Sequence, residues 1–464
     1  MIDPASFRDP AGRVHHVDGR IFRAVHRAGL QDWLFVNGSE VFQRLVQRGA
    51  VLGADEVDPG VLGGDAPTGG LVLEHPRIPF WSYPYEWSFG ALKAAALAHL
   101  DLQIELLDHR IALSDGSAYN VQFLGTRPVF VDVLSLRRYR ANEHWAGYRQ
   151  FCQQFLYPLL LRSKFGVPFQ DWFRGRPEGI AVEEVAHLAR WHHLLSLGML
   201  LHVIAPGRLQ AHAGGWVETR ATRAQARGLP MSRYRSLLLQ LRDWIAVLRP
   251  RAQGPSTWQD YAWGATYDRA EAAAKRALVE CFARSVRPAL LLDLGCNTGE
   301  YAGLALRAGA QKVVGLENDH GALERAFAHA HRATLDLLPL YQDCTDPSPG
   351  QGWNGREHRG LVERCADVEA VMALAFVHHV VLGRNIPLAD VVRWITSLAP
   401  CGLIEFVPKD DRAVQRMLSL RDDAFPGYSF DAFLAALHRH ARVVAQRTVS
   451  QSGREIVWFV RDAQ

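Results

Sequence analysis

Several features that would place a chain in a specialised class are absent from this sequence of 464 residues. Its six cysteines form no C-x-x-C pair, so neither a zinc knuckle nor a dithiol redox motif is indicated, and their scatter fits reduced thiols. The N-terminus has no basic segment followed by an apolar one, and no apolar run reaches the length of a membrane span. We therefore expect a cytoplasmic protein with no membrane partner.

A strong charge of one sign is also absent. The formal net charge of +4 is slight for this length, and the arginines are spread along the chain rather than clustered. This argues against a nucleic-acid partner without being decisive. The length predicts two domains, which we place at residues 1–205 and 257–464, with a helical connector and linker over 206–256.

The most informative stretch runs from Leu290 to Glu317. An apolar run of strand length ends in the turn D-L-G-C-N-T-G, a helix-like segment follows, and a second apolar run ends at Glu317. Gly295 and Gly299 let the backbone approach a ligand where a Cβ would collide. A carboxylate at Glu317 can accept hydrogen bonds from both hydroxyls of a ribose. This pattern predicts a nucleoside-binding β-α-β unit.

The residues of this turn distinguish between two classes of cofactor. A dinucleotide site needs G-x-G-x-x-G, but Asn297 stands where the second glycine would be, and Asp293 points at the same mouth. A carboxylate there repels a diphosphate and attracts an ammonium. The motif resembles the glycine-rich motif of class I S-adenosylmethionine-dependent methyltransferases. The resemblance implies S-adenosylmethionine as cofactor and a Rossmann-like, mostly parallel seven-stranded sheet.

The same resemblance assigns further residues. Asp343, followed by Cys344, matches the acid after the third strand that accepts from the adenine amine. His378 and His379 follow the fourth strand, where such methyltransferases commonly carry a His pair, and Glu405 lies at the tip of the fifth. These three are our candidates for removing a proton from the acceptor, and a structural role for both histidines is the alternative.

Aromatic residues precede the first helix of this half: Tyr261, Trp263 and Tyr267. They can close over an adenosyl group or simply pack at the start of the helix. The sequence also resembles a bacterial group of proteins that includes rhizobial nodulation host-specificity proteins. The resemblance lies in the segments VDVLSL, PSPGQGW, LAFVHHV, NIPL, EFVPKDD and SGRE. That group implies fold and cofactor but does not name an acceptor.

The N-terminal half contains a second resemblance. Asp115 and Asn120 form an Asp-x4-Asn pattern before a strand and turn, and the next strand ends in Asp132. This order resembles the catalytic and metal loops of protein kinases and aminoglycoside-type phosphotransferases. It implies an α+β, largely helical kinase-like domain in which Asp115 matches the base, and Asn120 and Asp132 match the magnesium ligands.

The departures from that pattern point to a domain that does not transfer phosphate. Leu113-Ser114 replaces His-Arg before the first Asp, no convincing glycine-rich phosphate loop is present, and no lysine precedes Lys93. A phosphate-pairing cation is therefore missing unless Arg23 supplies it, and arginine is not equivalent to lysine there. The alternative is an Asp and an Asn that cap turns in a helical domain.

Coarser patterns predict the other elements of the N-terminal half. Short apolar runs predict strands over Arg20–Val25, Trp33–Val36 and Leu71–Glu74. Helical spacing predicts helices over Ser88–Leu107 and Val182–Val203.

We predict a two-domain S-adenosylmethionine-dependent methyltransferase whose N-terminal domain binds the substrate or regulates the enzyme. The acceptor would be a small or carrier-bound molecule, methylated on N, O, C or S. One alternative is a bifunctional protein whose first domain binds ATP and magnesium and phosphorylates a substrate. Another is a regulator that binds S-adenosylmethionine without catalysis.

Overall fold

The structure is a computed structural model, which describes residues 1–211, 228–251, 269–419 and 425–461. The predicted aromatic closure by Tyr261, Trp263 and Tyr267 lies outside these ranges. Among the described residues, no helix is both long and apolar enough to cross a bilayer. All six cysteines lie in the described ranges, and none forms a disulfide.

A four-stranded antiparallel sheet begins the chain. Its strands are β1 (Gly12–Val17), β2 (Arg20–Val25), β3 (Asp55–Val57) and β4 (Leu71–His75), in the order β1-β2-β4-β3. Asp18 and Gly19 join the first two strands, and both have positive φ, of 49° and 75°. A two-residue turn of this kind has the twist that a hairpin needs.

The predicted strand over Trp33–Val36 is wrong, because this segment belongs to helix α1 (Arg27–Asn37). Trp33 and Val36 are buried, whereas Leu34 between them is 51% exposed. Burial therefore follows the helical period rather than strand alternation. Helix α2 (Glu40–Gln47) follows at once and is capped by Ser39, whose side chain accepts from the Phe42 N–H.

The centre of the N-terminal domain is helix α3 (Phe89–Asp108), which is buried along most of its length. After it, β5 (Ile111–Leu113) pairs with β8 (Leu136–Arg138), and β6 (Val121–Leu124) forms a hairpin with β7 (Arg127–Phe130). This arrangement places Asp115 after β5, Asn120 just before β6 and Asp132 just after β7.

The rest of the N-terminal half is helical but broken. The predicted continuous helix over Val182–Val203 is wrong: a helix over Val182–His187 is followed by a 3-10 turn over Trp191–Leu195. The His193 ring nitrogen accepts from the Arg190 N–H, which takes the place of a helical hydrogen bond. The shorter helical pieces of this half are Pro4–Arg8, Pro59–Asp65, Pro84–Glu86, Ala118–Asn120, Val133–Ser135, Tyr148–Phe151, Cys152–Leu156, Tyr157–Leu160, Leu161–Phe165, Gln170–Arg174, Leu197–Met199, Leu200–Ile204 and Ala205–Ala211.

Helix α4 (Met231–Val247) lies within the predicted connector and packs along α3. Lys93 of α3 donates to the carbonyls of Ala246 and Leu248, at 2.6 and 2.9 Å. Its ammonium therefore satisfies two carbonyls at the end of α4. The domain boundaries themselves remain a prediction.

The C-terminal domain is built on a seven-stranded sheet in the order β11-β10-β9-β12-β13-β15-β14. The first five strands in this order are parallel, and β15 runs antiparallel to both of its neighbours. The strands are β9 (Leu290–Leu294), β10 (Lys312–Glu317), β11 (Leu337–Tyr341), β12 (Ala370–Ala373), β13 (Cys401–Phe406), β14 (Ala441–Thr448) and β15 (Glu455–Arg461). The helices are α5 (Arg269–Val286), α6 (Glu300–Ala308), α7 (His320–Arg332), α8 (Val377–Arg384), α9 (Leu388–Leu398), α10 (Arg412–Leu418) and α11 (Phe430–Leu437), with short turns over Trp353–Gly355, Leu361–Arg364 and Cys365–Asp367.

This strand order fixes where a ligand can bind. The chain passes from β9 to β10 on one side, and β12 lies on the other side of β9. Open parallel sheets bind ligands outside the carboxyl ends of the strands at such a switch point. Every residue of β9 is buried, as expected for a central strand covered on both faces. The crevice therefore opens beyond Leu294.

The two halves of the chain share one buried apolar cluster, which includes Leu92 of α3 and Val371 of β12. A buried ion pair crosses the same boundary. Arg364 donates to both carboxylate oxygens of Glu86 at 2.5 and 2.9 Å, and each side chain is 2% exposed. Arg364 also donates to the carbonyl of Trp81 at 2.7 Å. The second half therefore folds against the first.

We predict that Arg364→Met destabilises the protein strongly. The change leaves the Glu86 carboxylate buried without its cation, which costs about 3–5 kcal/mol. The midpoint of denaturant unfolding should fall accordingly. The matched control is Arg77→Met, since Arg77 pairs with Asp367 across the same boundary but both side chains are about half exposed. That change should cost at most about 1 kcal/mol, and an equal loss in the two variants would contradict the prediction.

Candidate active site

Three residues of the turn after β9 have a left-handed backbone conformation. Gly295, Asn297 and Gly299 have φ of 71°, 49° and 80°, a region that glycine and asparagine enter most readily. The N–H groups of Gly295 and Cys296 both donate to the carbonyl of Leu316, at 2.9 and 3.0 Å, and so tie the turn to β10. A Cβ on Gly299 would lie 2.8 Å from a methyl group of Leu337. The glycine there is required by both conformation and space.

Glu317 ends β10 beside this turn. One carboxylate oxygen accepts from the Asn297 N–H and the other from the Asp319 N–H, each at 2.8 Å. Burial raises the pKa of Glu317, and these backbone hydrogen bonds partly offset the rise. The carboxylate is thus fixed at the mouth of the crevice, where the sequence predicted it.

Asp293 lies at the carboxyl end of β9 and is buried. Burial raises its pKa to about 7; Lys275 opposes this rise and Glu317 adds to it. A carboxyl group in this state gains when a cation is placed beside it, because the cation stabilises the charged form. The mouth is therefore electrostatically prepared for a positively charged ligand.

Asp343 and Cys344 follow β11, the strand that lies beside β10 in the sheet. One oxygen of Asp343 accepts from the backbone and hydroxyl of Thr345, at 2.9 and 2.6 Å, and Arg384 donates to the other at 3.4 Å. Burial raises the pKa of the Cys344 thiol, and the nearby charges of Asp343 and Glu317 raise it further. The structure thus brings Asp343, Cys344 and Glu317 to the same edge of the sheet.

The histidine pair lies on the first turn of α8 rather than on the end of the fourth strand. His378 is fully buried, and neither of its ring nitrogens has a hydrogen-bond partner among the described residues. Burial holds the pKa of His378 well below its usual range and lowers that of His379 to about 4. Both rings are therefore neutral near pH 7, with centroids 3.9 Å apart.

Glu405 is fully buried in β13. Its Oε2 atom accepts from the Lys275 ammonium at 2.7 Å and from the Ala375 N–H at 2.8 Å. Ala375 precedes α8 and has a φ of 50°, which strains a residue with a Cβ. Glu405 thus holds the loop that leads to the histidine pair. These contacts support a positioning role, and its role as proton acceptor remains a prediction.

Sequence reasoning missed the cations of this network. Arg454 is fully buried, donates to both oxygens of Asp411 at 2.7 and 2.8 Å, and lies 3.7 Å from Glu405. The signal for Lys275 was present, since it stands four residues before Val279 on the buried face of α5. Arg454 lies in a turn before β15, and its burial follows only from the closing of the sheet.

In the N-terminal domain, the three predicted polar residues do meet. The Asn120 side-chain amide donates to Asp115 at 3.0 Å and to Asp132 at 3.4 Å. Arg23 of β2 donates to Asp132 and to Asp9, each at 2.6 Å, and is buried. A guanidinium therefore neutralises Asp132, the one carboxylate that the kinase-like pattern assigned to magnesium. Among the described residues, no group of three His, Cys, Asp or Glu has the arrangement of a metal site.

Together, the parallel strands in the order β11-β10-β9-β12-β13, the left-handed glycine turn and the acid that ends β10 define the class. The C-terminal domain has the strand order and the glycine turn of the class I methyltransferase fold.

Comparison with known proteins places the chain in a family. Nodulation protein NoeA of Rhizobium meliloti (strain 1021) is 41% identical over 456 residues, which are 98% of this chain and 95% of that protein. The chain belongs to the family of nodulation protein NoeA. No protein-family profile matches the chain.

Solved structures resemble part of the chain at low scores. Magnesium protoporphyrin IX methyltransferase (ChlM) from Synechocystis PCC 6803 with bound SAH is 17% identical, with a TM-score of 0.29 over 41% of this chain and 84% of that chain. N-methyltransferase NodS from Bradyrhizobium japonicum WM9 is 9% identical, with a TM-score of 0.32 over 42% and 99%. The methyltransferase domain of bacterial CtHen1-C is 15% identical, with a TM-score of 0.31 over 42% and 100%.

The raised pKa of Asp293 predicts a pH effect on stability. In the folded protein this carboxyl group holds its proton up to about pH 7, whereas in the unfolded chain it loses it near 3.8. Its contribution is therefore fully present at low pH and is lost as the pH rises between these values. Asp293→Asn should gain stability relative to the wild type across this window, as measured by urea unfolding.

The control for this prediction is Asp243→Asn, because the Asp243 side chain is 74% exposed. Its unfolding free energy should follow that of the wild type at every pH. If the difference between the wild type and Asp293→Asn does not change with pH, the carboxyl group is not perturbed as described.

Proposed function

We propose that this protein transfers a methyl group from S-adenosylmethionine to a small or carrier-bound acceptor in the cytoplasm. Membership of the NoeA family supports a part in nodulation. The observation that carries the proposal is a charge imbalance at the crevice. Buried carboxylates exceed buried cations there: Asp293, Glu317, Asp319, Glu405 and Asp411 stand against Lys275 and Arg454.

This imbalance favours a cationic ligand over a phosphate. S-adenosylmethionine carries an ammonium, a sulfonium and a ribose but no phosphate, whereas a dinucleotide brings a diphosphate. Glu405 and Asp411 already have Lys275 and Arg454 as partners. Asp293 and Glu317 face the glycine turn and are the carboxylates best placed for a ligand's ammonium and ribose hydroxyls. The residues present therefore fit the cofactor.

When bound, S-adenosylmethionine supplies an activated methyl group on its sulfonium. The protein would contribute by position and by exclusion of water, since an in-line displacement gains most from alignment of the reacting groups. Asp293 would hold the ammonium, Glu317 the ribose and Asp343 the adenine amine. The carboxylates would thus fix the cofactor from three sides of the mouth.

Removal of a proton from the acceptor would fall to the histidine pair. His379 is partly exposed whereas His378 is fully buried, so His379 is the better placed of the two to meet an acceptor. Burial lowers the pKa of His379 to about 4, so the ring is neutral near pH 7 and would act as a weak base. Glu405 would act on this step indirectly, by holding the loop at Ala375.

The N-terminal domain would bind the acceptor or regulate the transfer. The segment that begins at Asp343 runs onto this domain, where the rings of His358 and Tyr119 stack at 4.4 Å and the Arg359 N–H donates to the Tyr83 hydroxyl at 2.6 Å. Tyr119 is the neighbour of Asn120. A ligand near Asp115 and Asp132 would thus be linked through a few contacts to the proposed adenine site.

We predict that Glu317→Ala weakens S-adenosylmethionine binding by about 2–3 kcal/mol, since charge-assisted hydrogen bonds to the ribose are lost. Glu317→Gln should cost less because it keeps one acceptor. Isothermal titration calorimetry measures both. Glu363→Ala, which removes a carboxylate with a side chain 65% exposed, should bind as the wild type does. An unchanged affinity in Glu317→Ala would move the ribose contact to Asp319.

Transfer itself is tested with radiolabelled S-adenosylmethionine and extracts fractionated into small molecules and macromolecules. We expect label in a small or carrier-bound product that is lost with Glu317→Ala. Tight binding of the cofactor with no labelled product in any fraction would favour a regulator without catalysis.

We also predict that the N-terminal domain consumes no ATP, because Arg23 already pairs with Asp132, the carboxylate that the kinase-like pattern would use for magnesium. Arg23→Ala should open the cluster, so that Mg²⁺ raises the thermal midpoint of this variant but not that of the wild type. The control is Arg20→Ala, on the same strand, which pairs with Glu74 and is 55% exposed. Magnesium-dependent ATP consumption by the wild type that disappears in Asp132→Asn would make the protein bifunctional.

A further inference from the structure

An exposed apolar strip lies on the N-terminal domain between residues 188 and 201. Trp191, Leu195 and Leu197 are 76%, 82% and 61% exposed. Single exposed leucines are ordinary on a protein surface, but a contiguous group marks an interaction site. The strip consists of Leu188, Trp191, Leu194, Leu195, Leu197, Leu200 and Leu201.

Buried residues within the same segment act as anchors that fix the backbone of the strip. His193 is buried, accepts from the Arg190 N–H at 2.9 Å, and its ring lies 4.9 Å from that of Phe165. Met199 is fully buried, and its N–H donates to the Ser196 hydroxyl, which caps the next turn. Because these anchors fix the backbone, the residues between them cannot turn inward together. Their exposure is a property of the fold.

The sequence that carries the strip is basic. No aspartate or glutamate occurs in the sequence between Glu184 and Glu218, although acids and bases are nearly equal over the whole chain, at 48 and 52. Arg190 and His192 are exposed on either side of Trp191. Exposed tryptophan and leucine with a neighbouring arginine, in a segment that contains no acid, are features of segments that lie in the interface of anionic membranes.

We propose that the apolar strip is a peripheral membrane-binding surface for anionic lipid. Trp191, Leu195 and Leu197 would enter the boundary between headgroups and acyl chains, and Arg190 would meet lipid phosphate. A second copy of this chain fits less well, since pairing the strip with itself would bring the cations together without acids to balance them. The proposal revises the expectation of no membrane partner and is independent of methyl transfer.

The test is sedimentation of the full chain with vesicles of phosphatidylcholine alone or mixed with phosphatidylglycerol. The wild type should bind the anionic vesicles, and less at high salt. The double variant Trp191→Ser/Leu195→Ser should lose at least about tenfold in binding, because two large apolar side chains no longer enter the bilayer. Arg190→Ala should weaken the preference for phosphatidylglycerol.

The matched control is Trp353→Ser, which removes a tryptophan that is 71% exposed elsewhere on the surface. It should bind vesicles as the wild type does, and all variants should keep the wild-type thermal midpoint. Absence of wild-type binding to anionic vesicles would overturn the proposal. So would equal losses in Trp353→Ser, or a double variant that changes the oligomeric mass in light scattering while vesicle binding stays the same.

Discussion

The C-terminal domain is governed by the cost of burying carboxylates at the carboxyl edge of its sheet. A buried charge is tolerated when it is paired and hydrogen-bonded, and each acid here meets that need differently. Glu405 and Asp411 have Lys275 and Arg454, and Glu317 has two backbone N–H groups. The burial of Asp293 is the least compensated of these, and it raises the pKa of this carboxyl group to about 7. A site left in that state gains from a cation supplied by a ligand.

A second buried ion pair joins the N-terminal domain to the segment that follows β11. Glu86 and Arg364 join the two halves, and Ser348 donates to Glu86 at 3.3 Å from the same segment. The segment starts at Asp343, so its attachment to the N-terminal domain also restrains the proposed adenine contact. This attachment is the structural basis of the binding or regulatory role that we propose for the N-terminal domain.

Local patterns were sufficient to predict the β-α-β unit that contains the glycine turn. Strand β9 is an unbroken apolar run, and the glycines, Asn297 and Glu317 stand at fixed distances along the chain. Short apolar runs were ambiguous, as Trp33–Val36 shows, because helix and strand differ there only in which neighbours are buried. The pairings of Lys275 with Glu405 and of Arg23 with Asp132 join residues more than a hundred positions apart. No local pattern encodes such distances, although the lysine on a buried helical face was a usable sign.

The most direct measurement is calorimetric titration of S-adenosylmethionine and NAD near pH 7 in two buffers that differ in ionisation enthalpy. The account predicts roughly micromolar binding of S-adenosylmethionine, no binding of NAD, and release of a proton as the ligand's ammonium lowers the pKa of Asp293. The proton release should disappear in Asp293→Asn. Binding of NAD without binding of S-adenosylmethionine, or cofactor binding with no proton released, would contradict it.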